Sequence, residues 1–316
     1  MTDRIIVTGG AGFIGSHIAT ALVERGHEVV VVDNLSTGKR ENIAHLDGRI
    51  EFVRGSVADE DLLDEILPGT RCVYHEAAVA SVPRSVAEPL PTHDTNITAT
   101  LRLLEGARRH GVKRFVFAAS SAAYGDGEEP VKTEDLLPRP LSPYAVHKLA
   151  CEQYLRVYHS LHGVETVALR YFNVFGARQD PKSEYAAVIP KFITRMLNGE
   201  RPIIFGDGLQ SRDFIHVDNI VKGNLLAMES ETAPGEVINL GCGASYSLID
   251  LVEALNDVMK TEFDPLFEPA KPGDVRHSHA GIGRAQALLG FEPEVSFRDG
   301  LAKTVAWFEE ARASVV

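Results

Sequence analysis

Little in this sequence suits it to nucleic acid, to a bilayer or to a disulfide scaffold. The formal net charge of the 316 residues is −12. There is no long basic run, which argues against nucleic acid or an anionic membrane as the main partner. A small anionic ligand stays open, because a few local Arg and Lys residues can outweigh the global sign. No apolar run is long enough to span a bilayer, no internal repeat is visible and no tract is of low complexity. The cysteines, Cys72, Cys151 and Cys242, are scattered and odd in number, as expected of reduced thiols in a cytoplasmic protein. Neither they nor the histidines show metal-ligand spacing. The N-terminus enters a strand almost at once, so no signal peptide is expected.

What the chain does have is apolar residues in quantity, 44% by composition. That is enough for a sizeable core in one large or two intimate domains. In the first half these residues alternate between strand and helix periods. Arg4 to Thr8 reads as a strand. Gly9-Gly10-Ala11-Gly12-Phe13-Ile14-Gly15 follows, then an apolar-periodic helix through Val23. The first glycine of the 9, 12, 15 triplet allows a tight turn, the second lets backbone N–H groups approach a pyrophosphate, and the third lets helix pack closely on strand. The next strand, Glu28 to Val32, runs into Asp33, an acid placed to hydrogen-bond a ribose diol and to repel a 2′-phosphate, which favours NAD over NADP.

Further strands are expected at Ile50 to Val53, Arg71 to His75, Arg114 to Ala119 and Val164 to Leu169, with helices at Asp59 to Leu67, Thr92 to His110 and from Pro143. The strand to His75 ends in Ala77-Ala78, small residues that let a cofactor approach the backbone. This alternation predicts an α/β fold, a doubly wound parallel Rossmann sheet with ligands at the C-terminal ends of its strands. Beyond residue 170 the alternation fades, as expected of a smaller mixed α/β lobe. The expected division is a cofactor domain over 1–170 and a substrate lobe over 171–316, interleaved at the boundary.

The stretch that carries chemistry is Ser142-Pro143-Tyr144-Ala145-Val146-His147-Lys148. Ser142 suits a helix N-cap and Pro143 the first helical position. Tyr144 and Lys148 then share one helix face, one turn apart. An ammonium near the phenol favours the phenolate, which would make Tyr144 a usable proton acceptor near neutral pH. Alone, the pair also fits an ordinary amphipathic helix with Tyr and Lys on its rim. The glycine turn and the Ser120-Ser121 pair at a strand end just upstream favour the chemical reading.

With these motifs assembled, the chain resembles the extended short-chain dehydrogenase/reductases, and within them the nucleotide-sugar 4-epimerases. Ala119-Ser120-Ser121-Ala122-Ala123-Tyr124-Gly125 is similar to that family's catalytic-serine stretch, with Ser120 matching the catalytic hydroxyl and Ser121 a neighbour. Arg170-Tyr171-Phe172-Asn173-Val174-Phe175-Gly176 is similar to the stretch where the family turns from cofactor to nucleotide sugar. The UDP-N-acetylhexosamine 4-epimerases are resembled most, through Ser81-Val82-Pro83-Arg84-Ser85, Arg178-Gln179-Asp180-Pro181, Tyr185-Ala186-Ala187-Val188-Ile189-Pro190-Lys191 and Gly273-Asp274-Val275-Arg276-His277-Ser278.

The resemblance implies a tightly held NAD contacted by Gly9, Gly12, Phe13, Ile14, Gly15, Asp33, Asn34 and Ser36. Ser56, Val57, Ala77, Ala78, Asn96 and Tyr171 join these, together with Tyr144 and Lys148. It implies a UDP-sugar site of Ser81, Ser120, Ser121, Tyr144, Asn173, Ala187, Val188 and Lys191. Ile203 and Phe205 would frame uracil, Arg212 and Lys271 would hold the diphosphate, and Asp274 and Ser278 complete the set. Ile203 and Phe205 also read as plain core strand residues, and Arg212 as the partner of Asp213 in a surface ion pair. Ser278 matches the gatekeeper of the sugar's C2 substituent, and its small side chain implies room for an acetamido group. Two positions depart from the pattern. Ser56 stands where the family usually has an Asp contacting adenine, and Lys271 where an Arg usually clamps the diphosphate. Lys keeps the charge but loses the bidentate fork.

The implied activity is NAD-dependent inversion of C4 of a UDP-hexose through a transient 4-keto sugar. UDP-N-acetylglucosamine and UDP-N-acetylgalactosamine are the expected pair, and UDP-glucose and UDP-galactose the alternative. A UDP-glucuronate epimerase or decarboxylase stands further off, as does a non-catalytic NAD sensor. No metal is implied. The family commonly forms homodimers through helices matching residues 92–110 and 143–161, whose apolar stripes could equally face the sheet.

Overall fold

The computed structural model describes residues 2–181, 187–270 and 276–313. Its first strands are apolar without interruption, Ile5-Ile6-Val7 in β1 (Arg4–Thr8) and Val29 to Val32 in β2 (Glu28–Asp33). That pattern belongs to a parallel sheet covered on both faces, and both runs are buried. Between them lies α1 (Phe13–Glu24). The alternation continues through β3 (Ile50–Arg54), α2 (Glu60–Ile66) and β4 (Cys72–His75). Next come α3 (Val82–Ala87), α4 (Pro89–His93), α5 (Ala99–Arg109) and β5 (Arg114–Ser120). The long helix α6 (Pro143–His162) leads to β6 (Glu165–Tyr171).

The second half adds β7 (Asn173–Phe175), α7 (Val188–Leu197), β8 (Ile203–Phe205), β9 (Ser211–Arg212), β10 (Phe214–His216) and α8 (Val217–Glu229). After these come β11 (Val237–Leu240), β12 (Tyr246–Ser247), α9 (Leu248–Met259), β13 (Leu266–Glu268), β14 (His277–Ser278), α10 (Gly283–Leu289) and α11 (Phe297–Ala313).

The main sheet runs β11-β6-β5-β4-β1-β2-β3, and its neighbouring strands pair in parallel. This is the doubly wound Rossmann order, with its switch point between β1 and β4, where ligands settle beyond the strand ends. One face packs α1 and α8 on the sheet around Ile18, Leu22, Ile220 and Leu225. The other packs α2, α5 and α6 around Leu63, Leu103, Cys151 and Leu155. A separate core of Phe192, Ile193, Leu251, Leu255, Leu301 and Phe308 holds α7, α9 and α11 together.

Two departures from the expected elements bear on the site. The sheet crosses the boundary expected at residue 170: α8 and β11 return from the second half, and β11 pairs with β6 from Val237–Ala168 to Leu240–Tyr171. The sequence hides both, because β11 is only four residues with Asn239 inside and α8 carries Asn219, Gly223 and Asn224 among its buried positions. The helix expected from Thr92 starts earlier, at Pro89, and passes through a wide π-type turn at Asp94–Thr98 before α5. Such a turn inside a helix is frequently found beside a functional site.

Candidate active site

The C-terminal ends of β1, β2, β4 and β5 converge on the N-terminal turns of α1 and α6. Gly9 sits at φ +64°, and a Cβ on it would lie 2.7 Å from the Ala77 nitrogen. A Cβ on Gly15 would lie 2.4 Å from the Gly9 carbonyl, so helix and turn touch only because both side chains are hydrogen. Gly12 is the N-cap of α1, in extended conformation and without a side-chain cap. The first-turn N–H groups of α1 are therefore left without a cap from Gly12, as a pyrophosphate requires.

Asp33 closes the other end of this cradle. Its Oδ2 accepts from the Ala11 N–H at 3.0 Å and its Oδ1 from the Leu35 N–H at 2.8 Å. Each oxygen keeps a lone pair for a ribose hydroxyl. The Asn34 side chain receives the Ser36 N–H at 2.9 Å, tightening the turn around the acid. These residues fit the adenosine and pyrophosphate of a dinucleotide. Ser56 uses its hydroxyl to accept the Ala58 N–H at 3.2 Å beside buried Val57, so it shapes the turn into α2. Phe13, Ile14, Ala77 and Ala78 are half-buried around the cradle. Asn96, in the π-type turn, grips Val79 from both sides, accepting its N–H at 2.8 Å and donating to its carbonyl at 3.1 Å. Its amide fixes the 77–79 loop. The Tyr171 side chain is turned into the core, its hydroxyl bonded to Glu76 and Asn224.

At the start of α6, Ser142 accepts the Ala145 N–H at 3.2 Å, Pro143 takes the first helical position, and Gly163 ends the helix in the left-handed region. The Tyr144 N–H is received by Ser85 Oγ at 3.0 Å. Ser85 is fully buried and ties α3 to the helix start. Lys148 is buried, and its ammonium donates to the Ala118 carbonyl at 2.6 Å, two residues before Ser120. The same nitrogen lies 6.0 Å from the centre of the Tyr144 ring, one helical turn away. Ser120 Oγ accepts the Ala122 N–H at 3.2 Å, holding the short turn that carries Ser121. His75 is not a proton carrier for this group. Held between Thr8 and Thr100 at 2.7 and 2.8 Å, it has its pKa pushed down to about 3 by burial.

On the second lobe, β9 and β14 run side by side with Arg212 opposite Ser278, both half-buried. The ion pair of Arg212 with Asp213 does not form. Asp213 is fully buried, and its carboxylate accepts the N–H groups of Cys242, Gly243 and Ala280 at 2.7, 3.0 and 3.2 Å. Asn173 Nδ2 donates to the Asp213 carbonyl at 3.3 Å. In β8 the buried residue is Ile204, while Ile203 and Phe205 point the other way and stay half-exposed. They are not core residues, as the plainer expectation had it. Ala187 precedes α7, with Val188 and Lys191 on its first turn. Ser81 caps α3, accepting the Arg84 N–H at 3.1 Å. Lys271 and Asp274 lie outside the described residues, as do Tyr185 and Ala186. Sequence reading missed Ser85 as the support of Tyr144, and Glu76 altogether. Only the position of Glu76, one residue after a strand end, could have flagged it.

A sequence model of the NAD dependent epimerase/dehydratase family matches residues 5–241. The chain belongs to this family. It is an NAD-dependent enzyme of that kind. The chain is 44% identical to the UDP-N-acetylglucosamine 4-epimerase of Methanobrevibacter ruminantium, solved with UDP-N-acetylmuramic acid, over 98% of this chain and all of that one, at a TM-score of 0.94. It is 42% identical to the UDP-glucose 4-epimerase of Thermotoga maritima, solved with UDP-glucose, over 98% and 99% of the two chains, at a TM-score of 0.93. With the UDP-glucose 4-epimerase of Mycolicibacterium smegmatis it shares 38% identity over 96% of this chain and 98% of that protein.

Proposed function

We propose that the protein inverts C4 of a UDP-hexose, and that UDP-N-acetylglucosamine and UDP-N-acetylgalactosamine are its preferred pair. The observation that carries this reading is the placement of Tyr144 and Lys148 on one face of α6, with the ammonium anchored on β5 two residues before Ser120. When bound, NAD supplies the two-electron acceptor that lets C4 pass through a ketone and back. The chain's own residues do the rest. The Tyr144 phenolate takes the proton of the 4-hydroxyl and later returns it. Ser120 Oγ hydrogen-bonds the same sugar oxygen. Lys148 holds the cofactor's ribose and favours the phenolate by its charge. Arg212 clamps the diphosphate, helped by Asn173 and Lys191, and Ile203 and Phe205 flank the uracil. The UDP thus stays anchored while the keto sugar turns over in the pocket, and the second transfer reaches the opposite face.

The acetamido preference rests on Ser278. It lies beside Arg212 in the strand register and brings only a hydroxymethyl group to the sugar side. The relative that acts on UDP-N-acetylglucosamine supports the same choice. A small residue does not exclude a plain hexose, so UDP-glucose and UDP-galactose are the second reading, which the Thermotoga relative supports.

The working unit we propose is a homodimer. Val146, Tyr154, Val157 and Leu161 form an exposed apolar stripe along α6, so this part of the helix does not face the sheet. A second copy covering it would remove that surface from water. Among the described residues no helix is long and apolar enough to cross a membrane. The NAD requirement and the unpaired cysteines favour the cytoplasm. The test is to incubate the protein without added NAD with each UDP-sugar and follow C4 by NMR. Inversion of the acetamido sugar is expected.

A further inference from the structure

Glu76 is an acid set among apolar residues at the middle of the sheet's ligand edge. It follows β4 directly, and its N–H donates to the Thr8 carbonyl at 3.2 Å. A Cβ on Gly9 would come within 2.9 Å of its carbonyl carbon. Its side chain reaches from β4 past the end of β5 to β6, where Oε1 accepts the Tyr171 hydroxyl at 2.8 Å. That hydroxyl accepts from Asn224 Nδ2 at 2.7 Å, and the amide is held by the Ile220 carbonyl at 2.9 Å. Around this chain lies the aliphatic core under α1 and α8. Glu76 is nevertheless only half-buried, while desolvation pushes its carboxyl up to about 7. Gly9 and Ala77 pack beside it, and the Lys148 ammonium acts on the carboxyl as a charge.

Hydrogen bonding alone does not call for an acid here. A glutamine would accept the Tyr171 proton equally well at no cost in buried charge. The charge is the unexplained part, and the cofactor offers it a partner. Pyrophosphate at the glycine turn and ribose at Lys148 would bring the nicotinamide end toward the strand ends that Glu76 spans. Reduction of bound nicotinamide takes up two electrons and one proton and turns a cationic ring into a neutral one. We propose that the Glu76 carboxylate sets the reduction potential of the bound cofactor, holding it toward the oxidised form. A negative charge in a low-dielectric site stabilises the cation and not the neutral ring. An enzyme that must regain oxidised cofactor in every turnover benefits from that bias, which works against loss of the keto sugar from a reduced enzyme.

The inference rests on the proposed hold of Lys148 on the cofactor's ribose, and its test needs no sugar. Holoenzyme, loaded with NAD where needed, is equilibrated with a viologen dye couple as electron donor, and the reduced fraction is read from nicotinamide absorbance. At pH 9, Glu76→Gln is expected to raise the reduced-to-oxidised ratio about tenfold at a fixed dye potential, roughly 30 mV for a two-electron couple. At pH 5.5, where more of Glu76 is protonated, the difference between the two proteins should shrink. Between these limits reduction of the wild type takes up more than one proton, the excess residing on Glu76, because loss of the ring's charge raises the carboxyl's pKa. The ionisable groups that face it are Tyr171, which donates to it, Lys148 across the strand end and, through Tyr171, the buried Tyr74. All three are unchanged in Glu76→Gln, so the difference between the proteins isolates Glu76.

Equal potentials at both pH values in a folded, NAD-loaded Glu76→Gln protein would overturn the proposal. Should that variant not fold, Tyr171→Phe removes the donor that favours the carboxylate and should move the extra-proton window to higher pH. A wild-type couple that takes up one proton throughout the range would overturn the proposal without any variant. Failure here leaves C4 inversion untouched, and failure of C4 inversion leaves these potentials measurable.

Discussion

Arg170 and Glu152 form a bidentate ion pair inside the protein. Arg170 Nε and Nη2 donate to the two Glu152 oxygens at 2.8 and 2.7 Å, with side chains 4% and 0% exposed. Glu152 stands one turn after Lys148 and two after Tyr144 on the same face of α6. The Arg170 guanidinium also lies 4.6 Å over the ring of Tyr124, which ends the short turn begun by Ser120. One pair therefore fixes α6 and the turn after Ser120 against β6.

Breaking that pair should cost more than losing a surface bridge. Glu152→Ala leaves a buried guanidinium without its counter-charge, and about 3–5 kcal/mol of unfolding free energy should be lost. Urea unfolding followed by circular dichroism checks this. The apolar double variant Glu152→Leu with Arg170→Met should recover most of the loss. If both proteins unfold alike, the charge is not the source of the cost.

Gly15→Ala tests the cradle. Its Cβ would lie 2.4 Å from the Gly9 carbonyl, so turn and helix must part and the N–H groups of α1 must move from the pyrophosphate. NAD affinity measured by calorimetry on stripped protein should fall about tenfold or more, ~1.4 kcal/mol. Gly48→Ala is the comparison. Its φ is +77° but its Cβ meets nothing within 4 Å, so it should cost about 1 kcal/mol of stability and leave NAD affinity alone.

Asp33→Asn should relax the choice of dinucleotide. The side chain can still receive one backbone N–H, but the charge that repels a 2′-phosphate is gone. The ratio of NADP to NAD affinity should rise about tenfold, with the larger change in NADP binding. An unchanged ratio would place the ribose away from Asp33.

Ser278→Tyr tests sugar choice. A phenol beside Arg212 fills the space assigned to the acetamido group. Turnover of UDP-N-acetylglucosamine should drop about a hundredfold while that of UDP-glucose changes little, a difference of ~2.7 kcal/mol between the two transition states. Equal losses on both sugars would move the C2 pocket elsewhere.

The parts legible in the sequence are those where a residue answers to its neighbours along the chain. The triplet Gly9, Gly12, Gly15 is forced by one turn. Ser142 and Pro143 announce α6 because cap and first-turn chemistry are local. The alternating apolar runs from β1 to β6 give the parallel sheet. What stayed hidden depends on partners far away. β11 shows as strand only beside β6, and Asn96 becomes a loop clamp only when Val79 is brought to it. The plainer alternative for Arg212, an ion pair with Asp213, gives way because three backbone N–H donors from distant segments occupy that carboxylate. Ile203 and Phe205 flank a core residue, and alternation alone does not say which face of so short a strand is covered.

The central claim is that Tyr144 does proton chemistry at C4 of a UDP-sugar. The measurement that meets it most directly is an NMR time course of UDP-N-acetylglucosamine, UDP-glucose and UDP-glucuronate. It is run without added NAD, on wild type and on Tyr144→Phe with matched folding and bound cofactor. The account predicts inversion at C4 of the acetamido sugar, slower or equal inversion of UDP-glucose, and loss of about a hundredfold or more in rate for the variant. Near-normal turnover by Tyr144→Phe would contradict the role of that phenol, and conversion of UDP-glucuronate alone would contradict the hexose assignment.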